Sequence, residues 1–105
     1  MAKRRDAREY ALLVLFQLDL NPADAKKTLE DFWAGKEPDP KVKAFTGELV
    51  LGVVRDLERI DKLIEKHATH WAVKRRGAVD RNVLRIALYE LLESGDLPPV
   101  VSINA

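Results

Sequence analysis

A chain of 105 residues with 47% apolar residues, 33% charged residues and a formal net charge of +1 has the balance of one globular domain. That balance excludes intrinsic disorder, and the near-neutral charge argues against broad, non-specific binding to duplex nucleic acid. No apolar run approaches the roughly 18–20 residues of a membrane helix, and the absence of cysteine removes disulfides and thiolate metal sites.

No leader peptide is expected, because Lys3, Arg4 and Arg5 run into Asp6 and Arg8 rather than into an apolar stretch. The default compartment is then the cytoplasm. The punctuation predicts an all-α chain. A first helix spans about Arg4 to Leu20 and stops at Asn21-Pro22. Asn21 is the expected N-cap of the second helix, with Pro22 in its first position and Asp24 in its first turn. Ala25, Leu29, Phe32 and Trp33 then share a face, and Gly35 is the expected C-terminal stop. Asp39-Pro40 repeats the cap-then-proline signal. A long third helix is predicted from Pro40 to about His67, because Val42, Phe45, Leu49, Val53, Leu57, Ile60 and Ile64 keep helical spacing. Gly47 and Gly52 lie inside it, each costing about 1 kcal/mol relative to alanine. They either permit close helix contact or mark a bend. Residues 68–77 read as a short turn and loop. A fourth helix follows from about Val79 to Glu93, closed by Gly95, and Leu97-Pro98-Pro99 is an extended connector.

On a wheel of about 100° per residue, Ala7, Ala11, Val14, Leu15 and Leu18 of the first helix form the core face. Arg5, Arg8, Glu9, Leu12 and Phe16 fall opposite. Guanidinium groups that hold phosphates, beside an aromatic that stacks on a base, suit single-stranded RNA. Spacing alone favours the alternative, in which Leu12 and Phe16 pack on another helix while the arginines are solvated, because apolar positions on helices are mostly core. Lys3, Arg4, Arg5 and Arg8 are locally concentrated, as are Lys74-Arg75-Arg76 with Arg81 and Arg85. Localised cations on a neutral body fit a narrow nucleic-acid site or an acidic partner. His67 and His70 have metal-compatible spacing but no third ligand, and Trp71 reads as a core anchor. Asp80 suits a cap or first-turn acid, Tyr89 a buried ring with its hydroxyl at the surface, and Arg85 and Glu90 are not spaced as a mutual pair. The carboxylates form no acid–base pair, so neither an enzyme nor a cofactor site is expected.

Several stretches together resemble the NusB family of bacterial transcription antitermination factors. They are Lys3-Arg4-Arg5-Asp6-Ala7-Arg8-Glu9 leading into Ala11-Leu12-Leu13-Val14-Leu15-Phe16-Gln17, then the segment from Phe45 to Val53, and Ile60-Asp61. The run from Val79 to Leu92, with Leu84-Arg85-Ile86-Ala87-Leu88-Tyr89-Glu90-Leu91 at its centre, is the most specific, and Asp96-Leu97-Pro98 and Val101 to Asn104 complete the match. The resemblance implies a NusB-like helical bundle without catalytic activity. It implies binding to boxA RNA together with NusE, a small-subunit ribosomal protein, within the antitermination complex on RNA polymerase. Carried over by position, it assigns RNA contacts to Lys3, Arg4, Arg5 and Arg8, with Phe16 and Gln17 beside them, and the NusE-facing surface to Asp80 and Arg81. An alternative is the NusB-like RNA-recognition domain of a ribosomal RNA cytosine methyltransferase.

The chain is accordingly expected to be one domain. Residues 1–35 would form a helical hairpin, residues 40–95 the long helix, loop and fourth helix, and residues 96–105 a connector. Family members continue beyond Ile103-Asn104 into two further helices, so the last two family helices are expected to be absent here. Apolar faces left open by their absence would draw a second copy, giving a homodimer.

Overall fold

A computed structural model describes residues 2–67 and 77–95, which form five α-helices: α1 (Ala2–Leu20), α2 (Ala25–Trp33), α3 (Pro40–Arg55), α4 (Leu57–His67) and α5 (Ala78–Ser94). The expected all-α architecture is what the chain adopts. The connector at 96–105, His70, Trp71 and the Lys74-Arg75-Arg76 cluster lie outside the described residues, as does the side chain of His67.

Helix α1 is the central element and packs most extensively on α3 and then on α5. Its predicted core face is the observed one: Ala7, Ala11 and Val14 are fully buried, Leu15 nearly so, and Leu18 packs partly buried against the cluster. Alanines at two successive turns keep this face thin, so α3 can approach closely. Opposite it stand Leu49, Val50 and Val53 of α3, Ile60 and Ile64 of α4, and Ile86 and Tyr89 of α5. Ala25 and Leu29 dock α2 on the same core. Tyr10, Phe32 and Trp33 meet edge to face at centroid distances of 5.7, 5.3 and 4.9 Å, locking α2 onto the flank of α1.

Two helix boundaries differ from the sequence expectation. Asn21 does not cap α2, because its N–H still bonds the Gln17 carbonyl at 2.8 Å and so closes α1. The residue before a proline is also restricted to extended backbone, which delays the next helix. Asp24 takes the N-cap position instead, with extended φ and ψ of −65° and 123° and no side-chain cap bond. The predicted long third helix is divided at Asp56, whose φ of −103° and ψ of 18° fall in the bridge region. The hydrogen-bonded column runs through: Asp56 N–H reaches Gly52 O at 3.0 Å, and Ile60 N–H reaches Asp56 O at 2.9 Å. The helix is thus interrupted at a single residue, and apolar spacing is blind to the break because the spacing persists across it.

The other punctuation holds. Asp39 accepts a hydrogen bond from Lys41 N–H at 2.8 Å, with Pro40 beginning α3. Gly35 and Gly95 adopt left-handed φ of 77° and 76° after α2 and α5. Asp80 lies in the first turn of α5, but the N-cap position belongs to Gly77. No helix among the described residues is long and apolar enough to cross a membrane.

Candidate nucleic-acid interface

The N-terminal turns of α1 carry four cations, Arg5 and Arg8 opposite the apolar face and Lys3 and Arg4 ahead of it on its own side. Lys3, Arg4, Arg5 and Arg8 are all exposed. The structure gives each a different setting. Arg5 projects to solvent and pairs with no described residue. Lys3 lies 3.5 Å from Asp39, the cap of α3. Arg4 sits over the Phe45 ring of α3, 4.2 Å from its centroid. Phe45 was expected only as a core residue. It is half-buried, and with Arg4 it forms a cation–aromatic pair beside the basic cluster.

Arg8 reaches across to α5. Its Nε donates to Glu90 Oε1 and its Nη2 to Glu90 Oε2, both at 2.8 Å. The pair is bidentate and half-open, with the Arg8 side chain 50% and the Glu90 side chain 26% exposed. The hydrogen bonds from Arg8 hold the Glu90 carboxyl below its ordinary range, against the opposing pull of burial, and Glu90 in turn raises Arg8. Arg4 adds a weaker positive influence on Glu90.

Beyond this pair an open, largely apolar groove of about 630 Å³ runs between α1 and α5, lined by Leu12, Val83, Ala87 and Leu91 with Arg8 and Glu90 at its rim. Leu12 packs partly buried against the core. Phe16 is half-buried and Gln17 exposed. Phe16 lies about 12 Å along the helix from Arg8, at 1.5 Å per residue. The stripe thus divides: arginines outward at the start of α1, Leu12 against the core, and Phe16 half-buried further along.

Asp80 and Arg81 belong to a different region. Helix α5 runs antiparallel to α1, so its start lies beside the end of α1. Asp80 is exposed, whereas Arg81 turns inward and places Nη2 3.2 Å from Asp19 Oδ2. Beneath it Arg85 is buried and makes a bidentate pair with Asp61 of α4, both bonds 2.8 Å long. Arg85 also contacts Asn82 Oδ1 at 3.0 Å and Asp19 Oδ1 at 3.4 Å. Asn82, fully buried, donates through Nδ2 to Asp19 Oδ2 and to the Ala78 carbonyl, both at 2.8 Å. Burial pulls the Arg85 pKa down, but Asp61 and Asp19 outweigh it and leave the guanidinium raised. The acidic partners of Arg8 and Arg85 carry no signal in the sequence, because they are separated from them by 82 residues in one case and by 24 and 66 in the other.

The family model for the NusB family matches residues 5–105. The chain belongs to the NusB family. Transcription antitermination protein NusB of Myxococcus xanthus (strain DK1622) is 42% identical over 108 residues, which cover 99% of this chain and 77% of that protein. Its counterpart in Geobacter sp. (strain M21) is 43% identical over 112 residues, with the same coverage of 99% and 77%. A solved structure of the antitermination factors NusB and NusE in complex with dsRNA contains a chain that superposes with a TM-score of 0.80 at 32% identity, covering 98% of this chain and 77% of that one. A chain in the crystal structure of a plectonemic RNA supercoil superposes with a TM-score of 0.78 at 35% identity, covering 87% and 67%.

In this NusB-family chain the Arg8–Glu90 pair also couples stability to pH. The folded Glu90 pKa lies below its unfolded value, so the stabilisation is complete above the unfolded carboxyl range near pH ~4.3 and is lost as pH falls through the folded value. Urea melts at pH 6 and pH 3 should show a smaller acid loss for Glu90→Gln than for the wild type. The difference should not exceed about 1 kcal/mol, because the pair is half-solvated. Equal acid losses in the two proteins would contradict this linkage.

Proposed function

We propose that this protein is a transcription antitermination factor that binds boxA RNA together with NusE, acting in the cytoplasm within the antitermination complex on RNA polymerase. The observation that carries the reading is the outward set of Lys3, Arg4, Arg5 and Arg8 on the first turns of α1, in a chain whose NusB relatives include one solved in complex with NusE and dsRNA. The function is binding, with no chemical step assigned. The cations neutralise phosphates, and Phe16 and Gln17 meet the strand further along α1. NusE is assigned to the start of α5, at Asp80 and Arg81. The α1 cations and the start of α5 lie at opposite ends of α1, so these side chains do not compete, while Phe16 and Gln17 stand within three residues of Asp19, the partner of Arg81.

A gel-shift titration with single-stranded boxA RNA and with a duplex of the same length, with and without NusE and at two salt concentrations, tests this reading. The double variant Arg5→Ala, Arg8→Ala should weaken single-strand binding at least tenfold. It should also flatten the dependence of log K on log salt by about 1.4, since each neutralised phosphate contributes about 0.7 on a single strand. Unchanged affinity and slope would remove the α1 cations from the RNA site.

A further inference from the structure

We propose that Glu90 is a positioning residue for RNA binding, holding the Arg8 guanidinium so that its free edge faces the nucleotide strand. The proposal rests on the reading of Arg8 as a phosphate contact. It adds a residue on another helix, and of the opposite charge, to the basic cluster.

The argument starts from the geometry. Glu90 engages Arg8 side-on, through Nε and Nη2. That mode uses two of the five guanidinium N–H groups and leaves Nη1 and the outer hydrogen of Nη2 available. A phosphate can therefore bind Arg8 while Glu90 remains in place. Glu90 is itself a well-anchored point. Its neighbour Tyr89 is buried against α3, and one turn earlier Arg85 is tied to α4 and α1. An exposed arginine otherwise loses rotamer freedom when it binds a phosphate, and a side chain already held loses less. The opposing effect is the negative charge that Glu90 brings close to the RNA. Two cations offset it: Arg8 by direct pairing and Arg4 by proximity. The carboxylate thus acts mainly through the orientation of Arg8.

The test is a double-mutant cycle in the full chain, read as affinity for single-stranded boxA RNA at two salt concentrations. Circular dichroism confirms that each variant is folded, and Glu90→Gln serves as a near-isosteric companion to Glu90→Ala. With Arg8 present, Glu90→Ala should weaken binding about three- to tenfold, the factor associated with ordering one long side chain. The salt slope should not fall, because every cation remains. With Arg8→Ala already in place, Glu90→Ala should cause no further loss. Tighter binding and a steeper salt slope in Glu90→Ala would overturn the proposal and make Glu90 a competitor of the strand. An equal loss with and without Arg8 would overturn it as well, since Glu90 would then act independently. If Arg8→Ala alone binds RNA normally, the assignment of Arg8 to the RNA site fails first and takes this inference with it. Loss in Arg8→Ala with none in Glu90→Ala rejects the positioning role alone.

Discussion

Gly52→Ala is expected to destabilise the protein by about 2 kcal/mol, the middle of the range for overpacking a core, while Gly47→Ala in the same helix is expected to stabilise it by up to about 1 kcal/mol. The two glycines are five positions apart in α3, and both lie in its interior. Alanine at either position gains the same backbone advantage. What separates them is space. A Cβ on Gly47 meets nothing within 4 Å, whereas a Cβ on Gly52 would fall within the van der Waals envelope of the Tyr89 ring and hydroxyl. Tyr89 cannot swing aside cheaply. It is 8% exposed, and its hydroxyl donates to Glu93 Oε1 at 3.0 Å. Thermal melts of both variants check the prediction. For a domain of this size a change of 1 kcal/mol moves Tm by roughly 4–8 °C, so the two variants should shift in opposite directions. Shortening the ring with Tyr89→Leu in the Gly52→Ala background should cost less than the two changes added separately, because the clash is removed. A Gly52→Ala protein that melts at or above the wild type would mean that α3 and α5 are not in contact through this ring.

The same pair of glycines shows where sequence reading stops. Both carried one cost, because propensity depends on the residue and its element. The difference between them depends on Tyr89, which is thirty-seven positions away from Gly52 in the chain. Properties with a local cause were readable: the buried stripe Ala7, Ala11, Val14 and Leu15 follows from helical periodicity, and the stop at Gly35 follows from the left-handed backbone. Arg5 and Arg8 were readable for the same reason, since they fall opposite the apolar stripe, whereas Lys3 and Arg4 precede that stripe on its own side. What each cation rests on was not readable. Phe45 under Arg4, Asp39 beside Lys3 and Glu90 against Arg8 are brought there by the packing of α3 and α5 on α1. The break at Asp56 carries no sequence signal, because it interrupts no apolar repeat and involves no proline.

Arg85→Met is expected to cost about 3 kcal/mol, the lower end of the range for breaking a buried ion pair, because both acidic partners keep some contact with water. Arg85 is the point where three helices are tied together: α5 carries it, Asp61 on α4 holds it by two bonds of 2.8 Å, and Asp19 at the end of α1 lies 3.4 Å away. The Arg85 side chain is 9% exposed, and those of Asp19 and Asp61 are 24% and 27% exposed. Methionine would fill most of the volume and leave two carboxylates facing an apolar side chain. The loss then comes chiefly from stranded charge rather than from a cavity. Arg85→Lys should recover only a minor part, since an ammonium cannot match the planar fork that serves Asp61. Asp61→Asn should fall between wild type and Arg85→Met, because Asp19 and Asn82 still engage the guanidinium. Arg55 provides the contrast. Its pair with Asp56 is nearly as short at 2.9 Å, but the Arg55 side chain is 63% exposed, so Arg55→Ala should stay within about 0.5 kcal/mol of the wild type. Urea midpoints at neutral pH with a common m-value decide the series. If Arg85→Met and Arg55→Ala were equally mild, the tie between α1, α4 and α5 would be ornamental, and the orientation of α5 that brings Glu90 to Arg8 would have to come from apolar packing alone.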